Sequence, residues 1–145
     1  MRTLTIACSI AALMAATPLS AQTLNVATAG DQNMVDYVKD YLGPMFEKAH
    51  PGVKVVSVGT GPGDSGSQKI YEKLDAQKAA AATDFDVVVI HQKAAGTMVK
   101  EGLLAKYTGG VDTAKLVSSE AAKNALGADV SGYVLPMFQS QTALA

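Results

Sequence analysis

The 145-residue sequence contains no tryptophan, a single cysteine and only two histidines, and it carries almost no net charge. A formal charge of −1 gives no electrostatic reason to expect a nucleic acid or an anionic membrane as a partner. The cysteine is Cys8, close to the amino terminus. If the first segment is removed, the remaining chain has neither a disulfide nor a thiol nucleophile. A domain formed by that chain depends on core burial for its stability.

The first 21 residues have the layout of a secretory signal. Arg2 is followed by an apolar stretch over residues 4–16, and then by Pro18 and the small residues Ser20 and Ala21. The apolar stretch is too short for a comfortable membrane span, which needs about 20 residues. We therefore expect cleavage after Ala21 and export of residues 22–145 to the periplasm. A buried amino-terminal helix and a lipid anchor on the cysteine are the alternatives.

Four segments of the remaining chain have the composition or periodicity of strands. Residues 23–28 alternate, and residues 53–58 are rich in β-branched side chains. Residues 84–91 form a continuous apolar run, which is typical of a strand buried on both faces of a parallel sheet. Residues 132–138 could form a fourth strand, which Pro136 would confine to an edge or a bulge.

Further segments have the three- and four-residue spacing of amphipathic helices. The predicted helices cover residues 31–49, 67–83, 93–107 and about 112–126. Asp31 is placed to cap the first helix, and Gly43 and Pro44 interrupt it, so we expect a kink or two helices there. Ser65 and Gln68 have the spacing of a capping box at the start of the second helix.

Alternating strands and helices predict an α/β domain in which a parallel sheet has helices on both faces. Ligands in such sheets bind beyond the carboxyl ends of the strands. Three loops leave those ends, at residues 29–33, 59–67 and 91–96. Exposed N–H groups in glycine loops and at helix starts attract oxygen atoms, whereas Asp31 and Asp64 could attract an ammonium group or a cation.

The glycine-rich loop does not fit a nucleotide site. Gly61, Gly63 and Gly66 spell G-x-G-x-x-G, but they follow the second strand, whereas the dinucleotide fingerprint follows the first. Pro62 also removes one N–H group that a phosphate would use. No P-loop lysine follows. The loop therefore favours a different kind of ligand, or it is simply a tight turn.

Hydrolytic and metal sites are also poorly supported. "GDSGS" around Ser65 also occurs around a protease nucleophile, but that context needs an all-β fold. His50 and His91 are predicted at opposite ends of the sheet, and His50 is most simply a helix carboxyl-terminal residue. An exported α/β enzyme using Ser65 with His91 stays open as an alternative, as does a periplasmic sensor domain.

Four motifs, in order, resemble one family. "LGPMFEKAHPGVKV" is similar to the F-E-K-x-x-P-G-V-K-V signature near the start of type II periplasmic solute-binding proteins of ATP-binding-cassette (ABC) importers. "DFDVVVIHQ" followed by "MVKEGLLAKY" resembles the third strand and the G-L-L helix end of that family. "GYVLPMFQSQTALA" is similar to the segment where the chain first approaches the interlobe hinge. The resemblance covers nearly all of residues 22–145.

The resemblance implies two α/β lobes that trap a ligand between them and deliver it to a membrane permease after hinge closure. Its ligand contacts carry over to Gly30, Asp31, Gly63, Asp64, Ser65, Gly66, His91, Gln92 and, less directly, Gln139 near the hinge. Members of the family run to roughly twice the length of residues 22–145 or more, as expected for two domains of usual size. Residues 22–145 are therefore expected to form a truncated, three-layer amino-terminal lobe.

The resemblance also sets the expected biochemistry. It implies a periplasmic, monomeric receptor that is not an enzyme and needs no cofactor. The expected partners are a small-molecule solute and the permease of an ABC importer, and no nucleic acid. A polyamine, sugar, anion, amino acid or metal all stay open as the solute. A small polar organic solute is favoured over a bare metal, because no tyrosine pair or histidine cluster lies at the loops.

Overall fold

The structure is a computed structural model that describes residues 22–80, 82–107, 109, 112, 115 and 119–137. Its elements in chain order are β1 (Gln22–Ala29), α1 (Gln32–Asp36), a π-helical segment (Tyr37–Leu42), α2 (Gly43–Ala49), β2 (Val53–Gly61), α3 (Gly63–Ala76), β3 (Val87–Val89), α4 (Gln92–Lys100), a 3-10 helix (Ser119–Ala122), β4 (Asn124–Ala125) and β5 (Ala128–Asp129). The predicted signal segment and Gln139 lie outside the described residues.

Strands β1, β2 and β3 form one parallel sheet in the order β2-β1-β3. Val26 of β1 lies opposite Ser57 of β2 on one side and opposite Val87 of β3 on the other. Parallel neighbours need crossover connections, and the helices between the strands provide them. The predicted parallel α/β sheet is therefore confirmed.

Side chains of β1 alternate between two helix layers, because successive residues of a strand point to opposite faces. Ala27 and Ala29 pack with Ile70 and Leu74 of α3 and Met98 of α4 in a buried cluster. On the other face, Leu24 and Val26 lie beside Val38 and Leu42 of the helix that follows β1. Helices on both faces of a sheet give the three layers expected from the sequence.

The second helix layer leaves part of the sheet uncovered. An open cavity of about 490 Å³ lies between this layer and β3, and its lining is apolar. Val87 is 44% exposed there, beside Met45, Phe46 and Met137, which are also exposed. The prediction that residues 84–91 form a strand buried on both faces is therefore wrong. Only Val87–Val89 form the strand, and within the described residues one face of it lacks a covering helix.

The predicted interruption of the first helix takes an unexpected form. Backbone angles stay helical through Leu42 and Gly43, but the turns widen to a π-helix before Pro44. The Gly43 N–H group donates to Val38 O, five residues earlier, instead of to the usual acceptor four residues earlier. Because Pro44 has no N–H group, the regular hydrogen-bond pattern could not continue unchanged through it.

The later elements differ from the prediction. The predicted helix over residues 93–107 ends at Lys100, where Gly102 has φ +70. Over residues 119–126 the chain forms the 3-10 helix and β4 instead of the predicted helix, and most of residues 112–118 lie outside the described residues. Residues 132–137 are not a strand, so the possible fourth strand at residues 132–138 is wrong over that range. A two-stranded antiparallel hairpin of β4 and β5 lies just before them.

Candidate functional site

The carboxyl ends of the three parallel strands meet at one edge of the sheet, which we call the rim. The Gly30 N–H group, just after β1, donates to Gly61 O at the end of β2 (3.0 Å). A Cβ atom added at Gly63 would lie 4.0 Å from Cε1 of His91, the residue that precedes α4. Asp31 follows Gly30 directly. The three loops that the sequence predicted to converge therefore do so.

The glycine-rich loop is shorter than predicted, because both neighbouring elements extend into it. β2 continues to Gly61, α3 begins at Gly63, and Pro62 is the N-cap between them. Gly61 and Gly63 have φ of +104 and +58, a region that favours glycine. The predicted start of the second helix at residue 67 is therefore wrong by four residues, and its predicted end at residue 83 is wrong by seven, because α3 stops at Ala76.

Gly66 serves close packing. A Cβ atom at this position would lie 2.0 Å from Gly61 O and 3.2 Å from the Ala29 Cα atom. The Gly66 N–H group donates to Pro62 O (3.2 Å). The backbone N–H groups of Gly30 and Gly66 are thus already paired inside the protein. Neither N–H group is therefore available as one of the loop donors that the sequence predicted for a ligand.

The predicted capping interactions are not formed. The Ser65 hydroxyl donates to Pro62 O (2.8 Å), and the Gln68 amide donates to Glu72 Oε1 (3.0 Å), so the capping box is wrong. Its failure follows from the earlier start of α3, which puts Ser65 inside the first turn. Asp31 does occupy the N-cap position of α1, but its side chain makes no capping hydrogen bond. The Asp31 carboxylate is therefore exposed to solvent and is not bonded to the backbone of α1.

Two hydroxyl-bearing residues, buried Ser67 and half-buried Thr60, connect the elements of the rim, and sequence reasoning missed both. The Ser67 hydroxyl accepts a hydrogen bond from the His91 N–H group (3.0 Å), and Ser67 is 1% exposed. The Thr60 hydroxyl of β2 donates to Gly66 O (3.0 Å), with Thr28 O as a second acceptor at 3.3 Å. These contacts connect α3 to the start of α4 and to β1, so they fix where His91 lies relative to α3.

A charged cluster lies on the rim where α3 and α4 begin. Lys93 Nζ is 2.8 Å from Asp64 Oδ2, and His91 Nδ1 is 3.7 Å from Asp64 Oδ1. The hydrogen bond and the charge of Lys93 lower the pKa of Asp64, and His91 adds a smaller effect in the same direction. Asp64 in turn raises the pKa of Lys93. Lys93 was not among the predicted ligand residues, although it directly follows Gln92 in the third loop.

The two remaining predicted positions near this edge have different outcomes. The Gln92 side-chain amide donates to Asn124 O (3.3 Å), which connects the rim to the β4–β5 hairpin. Gln139 lies outside the described residues, so its role stays a prediction.

His50 is the C-cap of α2, just before β2 begins, and its ring lies 4.2 Å from that of Phe46. It therefore lies at the opposite edge from His91, as predicted.

The contacts of Ser65 and His91 do not support the alternative of an enzyme that uses these two residues. The Ser65 hydroxyl is directed to Pro62 O, and the nearby nitrogen of His91 faces Asp64, so Ser65 and His91 do not form a nucleophile–base pair. In the described parts of the chain, no group of three or more histidine, cysteine, aspartate or glutamate side chains is placed to hold a metal ion. The same residues include no helix with the length and apolarity of a membrane span.

A sequence-family profile described as bacterial extracellular solute-binding protein matches residues 27–145. The chain belongs to this family. Neither a curated protein nor a solved structure gives a significant match. Members of the family bind solutes outside the cytoplasm, and binding instead of catalysis is their general activity. The layered parallel sheet agrees with a lobe of such a solute-binding protein.

Proposed function

We propose that this chain binds a small polar solute at the rim and supplies one wall of a ligand cleft. In this proposal, residues 1–21 direct export and residues 22–145 form the amino-terminal lobe. A second lobe closes over the solute, and the loaded receptor delivers it to the permease of an ABC importer. The observation that carries the proposal is the meeting of the three strand ends at one edge with polar groups exposed.

The hydrogen-bonding groups of the rim suit a polar solute. The first backbone N–H groups of a helix have no partner within the helix, and no N-cap side chain bonds those of α3 or α4. Apart from Gly66 and Ala94, whose N–H groups are already paired, the first turns can therefore donate to a solute. Asp31 and Asp64 add acceptors, and Gln92 and Lys93 add donors. A site with donors and acceptors on three different loops can orient a small molecule from several sides.

The shape of the rim explains why a second wall is part of the proposal. Asp64 and Lys93 are 59% and 73% exposed, so solvent reaches the site from the side facing away from the sheet. Exposed hydrogen bonds compete with water, and closure around a ligand strengthens them by excluding it. We therefore expect weak binding by residues 22–145 alone and tighter binding when an opposing lobe closes.

A screen of the full-length chain tests this function. Thermal shift and calorimetry would be measured with a polyamine, a sugar, an amino acid, a phosphorylated compound and a divalent metal. We expect at least one polar organic compound to bind and to stabilise the fold by mass action. His91→Gln should weaken that binding, whereas the matched His50→Gln change at the opposite edge should leave it unaltered. Absence of binding by every compound, or equal loss in both variants, would contradict the proposal.

A further inference from the structure

We propose that the outer edge of β2 is an interaction surface for the β2 strand of a second copy of this chain, and that Glu47 keeps this edge closed in the monomer. In the sheet of the described residues, β2 pairs with β1 on one side and is the outer strand on the other. Its sequence, VKVVSVGTG, is rich in valine and contains no proline. A long edge strand of this composition is prone to pair with another strand.

The first half of this edge is already occupied. The Val53 N–H group donates to His50 O (3.1 Å), and the Val55 N–H group donates to Glu47 Oε1 (2.8 Å). Both donors are therefore directed out of the sheet instead of towards β1. The turn and the helix before β2 thus supply the acceptors that a neighbouring strand would otherwise provide.

The second half of the edge is open. Strand geometry repeats every two residues, and the register of β2 with β1 is unshifted as far as Gly59. The backbone groups of Ser57 and Gly59 therefore point outwards like those of Val55. In the described part of the chain, no turn, loop or side chain accepts a hydrogen bond from either N–H group.

Two exposed valines flank Ser57 on one face of this edge. The Ser57 hydroxyl donates to Val35 O of α1 (3.4 Å), so its side chain faces the α1 layer. Val56 and Val58 point to the opposite face, because successive side chains of a strand alternate. They are 40% and 42% exposed there, and a strand alongside β2 would cover them.

The edge is complementary to itself in an antiparallel pair centred on Ser57. In this register Val55 of one copy lies opposite Gly59 of the other, and Ser57 lies opposite Ser57. Because the backbone groups of these residues point outwards, each such pair exchanges two hydrogen bonds. Val56 lies opposite Val58 in the closer, non-hydrogen-bonded pairs, so the exposed valines contact each other.

Charge does not oppose this register. Lys54 is the charged residue of β2, and it lies opposite the neutral Thr60 of the second copy, so no like charges meet. A second copy thus supplies the backbone partners and the matched apolar side chains together, in the two-fold arrangement that is commonest among homodimers.

Glu47 closes the edge because it occupies the Val55 N–H group, which the pairs with Gly59 require. Its side chain is 25% exposed, and Lys54 Nζ lies 3.0 Å from the same oxygen. With Val55 occupied, only the central Ser57 pair can exchange both of its hydrogen bonds, and so short a pairing is marginal in water. Removal of the Glu47 carboxylate opens the whole edge from Val55 to Gly59.

Sedimentation velocity of the full-length chain over a range of concentrations tests the proposal. We expect a monomeric wild type, and dimers of Glu47→Ala with a dissociation constant at least roughly tenfold lower. Glu47→Asp, which shortens the side chain by one methylene, should also dimerise, and it decides the question if Glu47→Ala does not fold. Glu47→Gln, whose amide oxygen can still accept from the Val55 N–H group, should stay monomeric. Gly66→Ala, which disturbs the packing of α3 instead, is the control for destabilisation and should stay monomeric.

Paired substitutions at the exposed valines locate the contact. In the Glu47→Ala background, Val56→Lys combined with Val58→Lys places like charges opposite each other and should restore the monomer. Val56→Glu combined with Val58→Glu should do the same, whereas an equimolar mixture of the two charged variants should associate. Val87→Glu in the same background changes the apolar cavity and should leave the dimer intact.

A Glu47→Ala chain that stays monomeric, or a wild type that dimerises equally well, would overturn the proposal. Dimers that persist in both charged variants, or that Val87→Glu abolishes, would also overturn it, because the contact would then lie on another surface. Each of these results leaves solute binding at the rim, and therefore the proposed function, unaffected.

Discussion

Gly66 shows how a single residue decides whether two elements can meet at the rim. Its missing side chain lets the first turn of α3 approach both Gly61 O and the Ala29 backbone. An added methyl group would contact backbone atoms on both sides, and backbone cannot turn away as a flexible side chain can. The requirement for glycine at this position is therefore steric, and it is independent of any ligand.

We predict that Gly66→Ala destabilises the chain by about 1–3 kcal/mol, the usual cost of overpacking. Urea unfolding followed by circular dichroism measures the change. Gln68→Ala, an exposed change one half-turn further along α3, is the control and should shift the unfolding midpoint only slightly. An unaltered midpoint for Gly66→Ala would show that α3 can move away from β1 without cost.

Tyr71 connects α3 to the end of α4 through a hydrogen bond to Glu101 Oε2 (2.6 Å). This bond, with burial and the negative charge of Glu101, raises the pKa of Tyr71 from 10.0 to about 12. A raised pKa means that the contribution of Tyr71 to stability is present below pH 10 and is lost as the pH rises towards 12.

Alkaline titration of tyrosinate absorbance tests this contribution. The chain has five tyrosines, and we expect one of them to ionise last, near pH 12. Tyr71→Phe should remove that final step, whereas Tyr41→Phe, the matched change at an exposed position, should leave it in place. A final step that persists in Tyr71→Phe would contradict the assignment.

Residue-scale prediction succeeded where the signal was local. Asp31 as the N-cap residue and His50 as a helix carboxyl-terminal residue were predicted from their immediate neighbours, and both are confirmed. Ser67 was missed because its partner, the His91 N–H group, is 24 residues away. Lys93 was missed for a similar reason, since its pairing with Asp64 depends on how α3 and α4 pack.

At the element scale, the motif that carried the family resemblance has a structural role. Glu47 of α2 accepts a hydrogen bond from the Val55 N–H group (2.8 Å) and pairs with Lys54 (3.0 Å). These contacts connect Lys54 and Val55 of β2 to α2 across the turn at residues 50–52. The F-E-K-x-x-P-G-V-K-V pattern thus includes both partners of a helix-to-strand connection.

The hydrogen bond from Val55 and the bond and charge of Lys54 lower the pKa of Glu47 below its ordinary value of 4.5. A lowered pKa means that Glu47 stabilises the fold above pH 4.5 and that this effect is lost as the pH falls through the lowered value. Glu47→Gln should therefore reduce the melting temperature at pH 7 but make no difference at strongly acidic pH. A melting temperature that Glu47→Gln lowers equally at both pH values would contradict this explanation.

The β4–β5 hairpin carries an unfavourable residue in its turn. Leu126 has φ +53 and is 71% exposed, and it is followed by Gly127 with φ +92. Two-residue hairpin turns of type I′ need positive φ at both central positions, where Asn-Gly is preferred. A leucine at the first of these positions bears the steric cost of the left-handed region without gaining burial.

We predict that Leu126→Asn stabilises the chain by about 1 kcal/mol, because asparagine tolerates the left-handed region better. Leu126→Ala is the control: it removes the same exposed side chain but keeps the steric cost, so it should give little gain. Chemical denaturation compares the variants. Equal stabilisation by both changes would indicate that the exposed side chain, and not the backbone angle, is the unfavourable feature.

Element-scale prediction located the three parallel strands but misplaced several ends. β1 and β2 were found because β-branched and alternating residues mark them, and β2 extends further only because it pairs with β1 as far as Gly61. The hairpin was missed because "KNALG" has good helix formers and a leucine in the turn position. Pairing with a neighbouring strand and packing against α4 override such local preferences.

At the scale of the whole molecule, the face of the sheet beside α2 is an apolar surface that the described residues leave partly exposed to solvent. Val87, Met45, Phe46 and Met137 are each at least 39% exposed around an apolar cavity. Exposed apolar groups clustered in this way are uncommon on soluble monomers and often mark a surface that another segment or molecule covers.

We predict that the chain binds an apolar fluorescent dye such as bis-ANS at this cavity under native conditions. Val87→Glu should reduce the fluorescence, because it places a charge on the cavity floor. Val56→Glu, which changes a similarly exposed valine on β2 away from the cavity, is the control and should have little effect. Equal loss of fluorescence in both variants would place the dye elsewhere.

The sequence by itself determined the strand and helix alternation, the family and the edge of the sheet at which the loops meet, because each of these depends on periodicity or on residues close together in the chain. Only the tertiary structure decided which polar groups stay available there. Pairing of β1 with β2 uses the N–H group of Gly30, the first turn of α3 uses that of Gly66, and packing of α3 beside α4 brings Lys93 to Asp64. Contacts between residues far apart in the chain leave no local pattern, so the charge of the rim is a property of the fold.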